Sequence, residues 1–322
     1  MNQSSNGVTL VLMSYNYMGS VKSVLFIVIF LVYVASLIAN VVVMSLIYLD
    51  TTLHKPMFLF LFSLIVNGLI GSTAVWPNVM IILLTDDNKT SIEGCLIQAF
   101  LMITYGACNF SMLTVMAYDR FVSIFKPLQY HVIMNPQKVT KLLFVAHFLP
   151  AVFILGQICL SSQITLCKYT VHRIFCDNLS FYSLSCNDSF QNQISNLYGL
   201  CVFIVFGVLP LFLIILSYFK IIMLILKATR TARQKAFETC TPHLIIFINF
   251  SLASFFSVIY NRVSPDLPPE INIILSINYN LIPPLLHPII YGIKNQEIKQ
   301  SLAKIKRMPV VSIRLTARKS AK

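Results

Sequence analysis

The chain has 322 residues, of which 57% are hydrophobic and only 11% are charged. A soluble globular domain carries about twice that charged fraction, so the composition argues against a water-soluble protein. The sequence also shows no nucleophile–base pair and no cluster of metal-ligand residues, so we expect neither an enzyme nor a metal or cofactor site.

Seven stretches without a charged residue follow one another along the chain. A bilayer core of about 30 Å needs about 20 helical residues, and each stretch reaches that length. In lipid such a stretch must be helical, because its backbone groups find no other hydrogen-bond partners. The sequence therefore predicts an all-α membrane protein, a single domain with a seven-transmembrane helix bundle over residues 24–293. The stretches are Val24–Leu49, Met57–Thr85, Gly94–Tyr118, Leu142–Cys167, Ser189–Phe219, Thr239–Asn261 and Ile271–Ile293. The longest loop is expected outside, from about Ser162 to Asn196.

The basic residues predict the orientation of this bundle. With the N-terminus outside, 19 of the 24 lysine and arginine residues fall on the cytoplasmic side, where such residues concentrate. Residues 1–23 are then extracellular and residues 294–322 form a cytoplasmic tail. The net charge of +13 thus indicates a basic inner face beside anionic lipid and protein partners, not a nucleic-acid-binding protein.

The start of the tail has the pattern of an amphipathic helix. Ile298, Leu302 and Ile305 recur at helical spacing with lysines between them. We expect this short helix to lie on the inner leaflet of the plasma membrane.

The predicted outer side carries the features of an oxidising, glycosylated environment. Four cysteines fall there, where disulfides persist, and from position alone they allow three pairings. Four Asn-x-Ser/Thr sequences on the same side are candidate glycosylation sites. The cysteines are Cys95, Cys167, Cys176 and Cys186, and the asparagines are Asn2, Asn88, Asn178 and Asn187.

Several motifs at the predicted helix ends share one resemblance. The string Met116-Ala-Tyr-Asp-Arg-Phe-Val-Ser-Ile ends the third span and resembles the signature of odorant receptors among the rhodopsin-like G-protein-coupled receptors. Four more strings follow that family's order at the expected helix ends. They are Leu53-His-Lys-Pro-Met-Phe, Ser217-Tyr218, Lys235-Ala-Phe-Glu-Thr-Cys-Thr-Pro-His-Leu and Pro283-Pro-Leu-Leu-His-Pro-Ile-Ile-Tyr. The phrase Val66-Asn-Gly-Leu-Ile-Gly looks closer to fish odorant receptors than to mammalian ones.

The resemblance implies a coupling mechanism at the cytoplasmic end. Asp119 would hold Arg120 at rest and release it when the sixth helix swings outward. Tyr118 and Arg120 would then face a helix of a stimulatory, olfactory-type G protein, which raises cyclic AMP. Supporting residues would be Tyr218 and the seventh-span residues His287, Pro288 and Tyr291, where His287 replaces the usual asparagine. The expected location is the cilia of olfactory sensory neurons.

The family pattern also pairs the outer cysteines, Cys95 with Cys176 and Cys167 with Cys186.

One departure from the family pattern concerns a possible sodium site. Gly68 stands where rhodopsin-like receptors usually carry an acid, and Asn109 stands where odorant receptors often carry a glutamate. We therefore expect no sodium ion within the bundle.

The resemblance places a ligand site within the outer half of the bundle. The candidate residues are almost wholly apolar, which suits small, largely apolar odorants bound by shape and dispersion. The residues are Met102, Ile103, Gly106, Val202, Phe203, Phe206, Ser254, Phe255, Val258, Ile277 and Asn280.

Two alternative functions remain at this point. A rhodopsin-like receptor for a non-odorant small molecule or lipid would share the fold, but the string from Lys235 to Leu244 is typical of odorant receptors. A membrane transporter would be expected to carry charged residues at mid-membrane, and the seven predicted spans carry none.

Overall fold

The computed structural model describes residues 9–17, 19, 21–186, 190–227, 229–263 and 269–307. Within them, seven helical segments are long and apolar enough to cross a membrane, which confirms the predicted fold class. They are Val21–Leu49, Pro56–Thr85, Ile92–Phe125, Pro136–Ser161, Phe190–Ile225, Ala236–Ile259 and Ile271–Lys294.

Several spans consist of more than one helix. The α-helices in chain order are α1 (Val21–Leu49), α2 (Pro56–Thr73), α3 (Trp76–Thr85), α4 (Ile92–Phe125), α5 (Tyr130–Ile133), α6 (Pro136–Ser161), α7 (Asn178–Leu184), α8 (Phe190–Phe203), α9 (Leu209–Ile225), α10 (Arg230–Val263), α11 (Pro269–Ser276), α12 (Ile282–Lys294) and α13 (Gln296–Arg307). The third span, α4, is central and packs against α2, α6, α9 and α10.

The third and fourth helices differ in their limits from the charge-free stretches. Helix α4 continues past Tyr118 to Phe125, because charged residues end a charge-free stretch but not a helix that leaves the membrane. Helix α6 begins at Pro136, where the Asn135 side chain accepts a hydrogen bond of 2.9 Å from the Lys138 backbone N–H. That helix ends at Ser161, so the outer loop begins at Ser162, where the sequence predicts it, although the charge-free stretch continues to Cys167.

Two prolines that lie inside predicted spans start new helical segments after π-helical turns. Residues Ile204–Val208 form one such turn before Pro210, and Ile277–Leu281 form the other before Pro283. A proline has no N–H to donate to the preceding turn. The neighbouring N–H groups of Leu209 and Ile282 instead bond to carbonyls five residues back, which keeps most of the backbone satisfied in lipid.

A small β-sheet covers the extracellular end, and the sequence analysis did not predict it. Strand β1 (Thr9–Leu12) pairs antiparallel with β2 (Lys89–Ser91) and parallel with β3 (Thr170–Val171). Leu10 and Leu12 are fully buried, and the nearby Tyr15 hydroxyl donates to the Ile174 carbonyl at 2.7 Å. Burial raises the pKa of Tyr15, so this donor stays protonated.

The outer loop between α6 and α8 is held by two disulfides. Cys95 is bonded to Cys176 and Cys167 to Cys186, which is the pairing that the family resemblance implies. The backbone N–H of Cys176 also donates to the Gln98 side chain at 2.9 Å. The loop is thereby fixed over the start of α4.

The predicted tail helix is present as α13 and is tied to the first cytoplasmic loop. Ile298 is buried against the bundle. The Lys55 ammonium lies 2.5 Å from the Glu297 carboxylate, and that of Lys304 lies 3.8 Å from Asp50. These contacts fix the helix against the cytoplasmic end of the bundle.

The disulfides generate a testable prediction. Cys95→Ser or Cys176→Ser should abolish surface expression, because the bridge closes a loop with a sequence separation of 81 and loss of a native disulfide costs about 2–5 kcal/mol. Surface labelling of an N-terminally tagged receptor measures this. Cys159→Ser, which alters an exposed free cysteine, is the matched control. Wild-type surface density in the Cys176→Ser variant would contradict the prediction.

Candidate functional site

A cavity of about 190 Å³ lies between the third, fourth, fifth, sixth and seventh spans, below the outer loop. An engineered cavity of about 150 Å³ accommodates benzene, so this one has room for a ring of that size with a short substituent. Eight of the eleven predicted ligand residues line it. They are Met102, Ile103, Gly106, Val202, Phe203, Phe206, Ser254 and Val258.

The other three predicted residues do not line the cavity. Phe255 lies behind the wall, with its ring centroid 5.5 Å from that of Phe203. Ile277 packs in the apolar cluster near the extracellular end. Asn280 is fully buried, and its amide donates to the Met102 sulfur at 3.2 Å. Ile277 and Asn280 both lie in the π-helical turn of the seventh span, and the wider spacing of such a turn changes which side chains face inward.

The seventh span contributes other residues than those predicted. Ser276 and Tyr279 line the cavity in their place. Tyr279 lies against the third span at Gly106, where a Cβ would overlap the tyrosine hydroxyl and lie 3.5 Å from ring atom Cζ. Glycine at position 106 is therefore required for this close approach.

The upper wall of the cavity contains polar residues that were not predicted from the sequence. Gln157 reaches the cavity from α6, and the outer loop supplies Arg173, Phe175, Asp177, Asn178 and Leu179. Arg173 and Asp177 form an ion pair with a distance of 2.7 Å between nitrogen and oxygen. The loop residues could not be predicted, because a loop has no periodic sequence pattern. Gln157 could have been recognised, because it is a polar residue on an otherwise apolar stretch.

An aromatic cluster connects the cavity wall to the middle of the bundle. Phe250 lies 5.0 Å from Phe110 between ring centroids, and 6.0 Å from both Tyr105 and Tyr279. Phe110 and Tyr279 line the cavity. Movement of either ring therefore presses on Phe250 in the sixth span, because a close-packed interior transmits displacement.

The cytoplasmic end contains the Asp119–Arg120 pair that the sequence predicts. Arg120 Nε donates to Asp119 Oδ2 at 3.0 Å, and Nη2 contacts the same oxygen. The Tyr130 hydroxyl, from the second cytoplasmic loop, donates to the other oxygen of Asp119 at 2.7 Å. Burial and the negative charge of Asp119 raise the pKa of Tyr130, so it remains a donor. Both oxygens of the buried carboxylate are thus occupied.

The predicted switch residue Tyr218 is held by His243, a residue that was not predicted to take part in the switch. The Tyr218 hydroxyl lies 2.7 Å from His243 Nδ1, and His243 Nε2 lies 3.0 Å from the Leu113 carbonyl. Since a carbonyl only accepts, Nε2 carries the proton and Nδ1 accepts from tyrosine. His243 therefore links the fifth and sixth spans to the third.

The remaining switch residues are placed as follows. Tyr118 accepts a hydrogen bond of 2.8 Å from the Lys138 ammonium. His287, Pro288 and Tyr291 are buried in α12. His287 Nδ1 and the Tyr291 hydroxyl have no hydrogen-bond partner within the part of the chain that the structure describes. These two groups therefore have hydrogen-bonding capacity that this arrangement of the described helices does not use.

Comparison with known proteins identifies the family. A sequence profile described as olfactory receptor matches residues 29–308. Human olfactory receptor 10A6 is 33% identical over 308 residues, covering 94% of this chain and 96% of that protein. Canine olfactory receptor-like protein OLF3 is 32% identical over 284 residues, covering 87% of this chain and 88% of that protein.

The chain belongs to the olfactory receptor family. It is therefore an odorant receptor and a G-protein-coupled receptor, a multi-pass membrane protein and not an enzyme. The family decides against the transporter and against a rhodopsin-like receptor for a different kind of ligand.

The predicted glycosylation sites of this olfactory receptor have different surroundings. Asn2 and Asn187 lie outside the described residues. The Asn88 side chain donates to the Leu12 carbonyl at 3.1 Å. Asn178 lines the cavity, and its side-chain oxygen accepts from Gln157 and Ser161, each at 3.1 Å. Glycosylation at all four positions stays a prediction.

The contact between Gly106 and Tyr279 generates a second prediction. Gly106→Ala should displace the Tyr279 hydroxyl into the olfactory receptor's cavity and raise the EC50 of its agonists about tenfold, which is roughly 1.4 kcal/mol of binding free energy. Adding Tyr279→Phe removes the overlapping oxygen and should restore most of the potency. Dose–response curves at matched surface density measure both effects, with Tyr279→Phe alone as control. Unchanged potency in Gly106→Ala, or no recovery in the double variant, would contradict this account.

Proposed function

We propose that this olfactory receptor binds small, neutral, largely apolar molecules in the cavity and activates a stimulatory, olfactory-type G protein. Cyclic AMP then rises in the cilia of olfactory sensory neurons. The observation that carries the ligand class is the cavity wall, where apolar and aromatic side chains predominate and Arg173 is neutralised by Asp177. Such a wall favours uncharged molecules, because an added charge would be desolvated without a partner.

The cytoplasmic surface supports coupling to a G protein. Arg120 is 12% exposed and is held only by the neighbouring carboxylate in the contacts found among the described residues. A buried arginine costs free energy unless it is paired, and exchange of Asp119 for a G-protein partner keeps it paired. The ligand shifts this equilibrium only by its differential affinity for the two arrangements.

A screen of small molecules tests the proposed function. The full-length receptor is expressed with a cyclic AMP reporter and exposed to neutral odorants, matched carboxylic acids and matched amines. Neutral molecules should raise cyclic AMP, and the charged analogues should be weaker. Cells that lack the stimulatory G-protein α-subunit are the control, since their response should disappear. Responses that persist in those cells would contradict the proposed G-protein type.

The Asp119–Arg120 pair gives a third prediction. Arg120→Ala should reach the cell surface but lose most odorant-evoked cyclic AMP. Asp119→Asn should raise basal signalling, because it removes the charge that holds Arg120. Tyr130→Phe should raise it less, because it removes one hydrogen bond to the carboxylate, worth roughly 1.5–3 kcal/mol, and leaves the charge in place. Cyclic AMP normalised to surface-labelled receptor measures all three variants.

The matched control is Tyr48→Phe, which alters an exposed tyrosine at the cytoplasmic end of α1. It should leave both basal and evoked signals unchanged. Normal evoked cyclic AMP in Arg120→Ala at equal surface density would show that this arginine has no part in coupling.

A further inference from the structure

The upper wall of the cavity contains an amide oxygen without a partner. Gln157 is 1% exposed and lines the cavity. Its Nε2 donates to the Asn178 side-chain oxygen and to the Ser195 carbonyl, each at 3.1 Å. Its Oε1 is buried and accepts no hydrogen bond from the residues that the structure describes. A buried acceptor left in this state is unfavourable, because it has lost its hydrogen bonds to water without gaining another.

The orientation of this amide is fixed by its surroundings. The Ser195 carbonyl can only accept, so the amide nitrogen of Gln157 must face it. A flipped amide would set oxygen against oxygen there and leave the nitrogen without its acceptor. The other end of the amide, which does not contact the Ser195 carbonyl, is therefore the hydrogen-bond acceptor Oε1.

Gly199 lies directly beside that acceptor. A Cβ at position 199 would lie 3.1 Å from Gln157 Oε1 and 3.0 Å from Asn178 Nδ2. Both distances are shorter than ordinary van der Waals contacts. Gly199 itself lines the cavity, so a side chain at this position would press on the acceptor at the cavity wall.

The rest of the wall does not favour a charged donor. Asp177 Oδ2 accepts from Arg173, and Asp177 Oδ1 accepts from the Ser180 backbone and hydroxyl. Both of its oxygens are thus in use. The hydroxyls of Ser254 and Ser276 donate to carbonyls of their own helices, at 2.7 Å and 2.6 Å, and so offer a ligand only oxygen lone pairs.

We propose that Gln157 Oε1 is a specificity-determining acceptor, so that the cavity prefers neutral molecules with a hydroxyl or another hydrogen-bond donor over equally apolar molecules without one. A donor next to Gly199 would satisfy the buried oxygen while the apolar part of the molecule fills the lower cavity. This inference rests on the proposed function, in which the cavity is the ligand site.

The test compares molecules that share a skeleton and differ in donor capacity. Benzyl alcohol, benzaldehyde and toluene are one such set, and further sets pair medium-chain alcohols with their aldehydes and hydrocarbons. Binding is measured on the purified full-length receptor as ligand-induced thermal stabilisation, and signalling as cyclic AMP. Alcohols should bind about two- to tenfold more tightly than their partners, the range expected for one net hydrogen bond.

Two variants distinguish the effect of losing the hydrogen-bond acceptor from the effect of losing the fold. Gln157→Leu removes the oxygen, and Gly199→Ala keeps it but fills the adjacent space. Both should abolish the preference for alcohols while binding of the hydrocarbons persists. Ser161→Ala is the matched control, because its hydroxyl belongs to the same polar cluster but does not line the cavity. If Gln157→Leu fails to reach the membrane, Gly199→Ala carries the comparison.

The outcomes distinguish this inference from the function on which it rests. A preference for alcohols that disappears in the two variants and survives in Ser161→Ala supports it. Equal binding of all three chemical classes, or a preference that survives both variants, overturns it and leaves the proposed ligand class intact. If no panel member stabilises the receptor or raises cyclic AMP, the proposed ligand class fails and this inference fails with it.

Discussion

The hydrocarbon interior of a bilayer offers the backbone no hydrogen-bond partner, and this constraint decides where the spans of this olfactory receptor change their register. Pro210 and Pro283 cannot donate to the preceding turn, and a π-helical turn precedes each of them. Both turns face the cavity, to which they contribute Phe206 and Tyr279. The irregular backbone therefore helps to form the ligand site, and the shape of the cavity depends on prolines that do not touch it.

The cavity and the cytoplasmic Asp119–Arg120 pair are connected by the same packed helices. The third span carries Met102 and Phe110 in the cavity wall and ends at Asp119 and Arg120. The sixth span carries Phe250 below the cavity and His243 farther toward the cytoplasm, where it bonds to the third and fifth spans. A ligand that displaces the aromatic rings thus acts on a helix whose inner half is fixed by neutral hydrogen bonds, which separate at less cost than a buried ion pair.

The sequence predicted the fold well, because the membrane directly determines how long the apolar segments are and on which side the charged residues lie. Eight cavity residues were also predictable, since regular helices place them at known intervals. Ile277 and Asn280 were misplaced because a π-helical turn leaves little trace in the sequence beyond the following prolines. The loop residue Asn178 was missed because its position depends on tertiary contacts, whereas Gln157 could have been recognised as a polar residue on an apolar stretch. The partners Tyr130 and His243 could not be recognised from spacing, as they are brought to the switch by other helices.

The sheet over the extracellular end has a consequence for biosynthesis. Tyr15 and its partner Ile174 are 159 positions apart, and β1 cannot pair with β3 until the fourth span has been inserted. A ribosome adds roughly 5–20 residues per second, so the first strand waits on the order of ten seconds in the lumen with Leu10 and Leu12 unburied. Cys176 emerges only a few positions after β3. Sheet closure and the disulfide between Cys95 and Cys176 therefore become possible within the same short interval of synthesis.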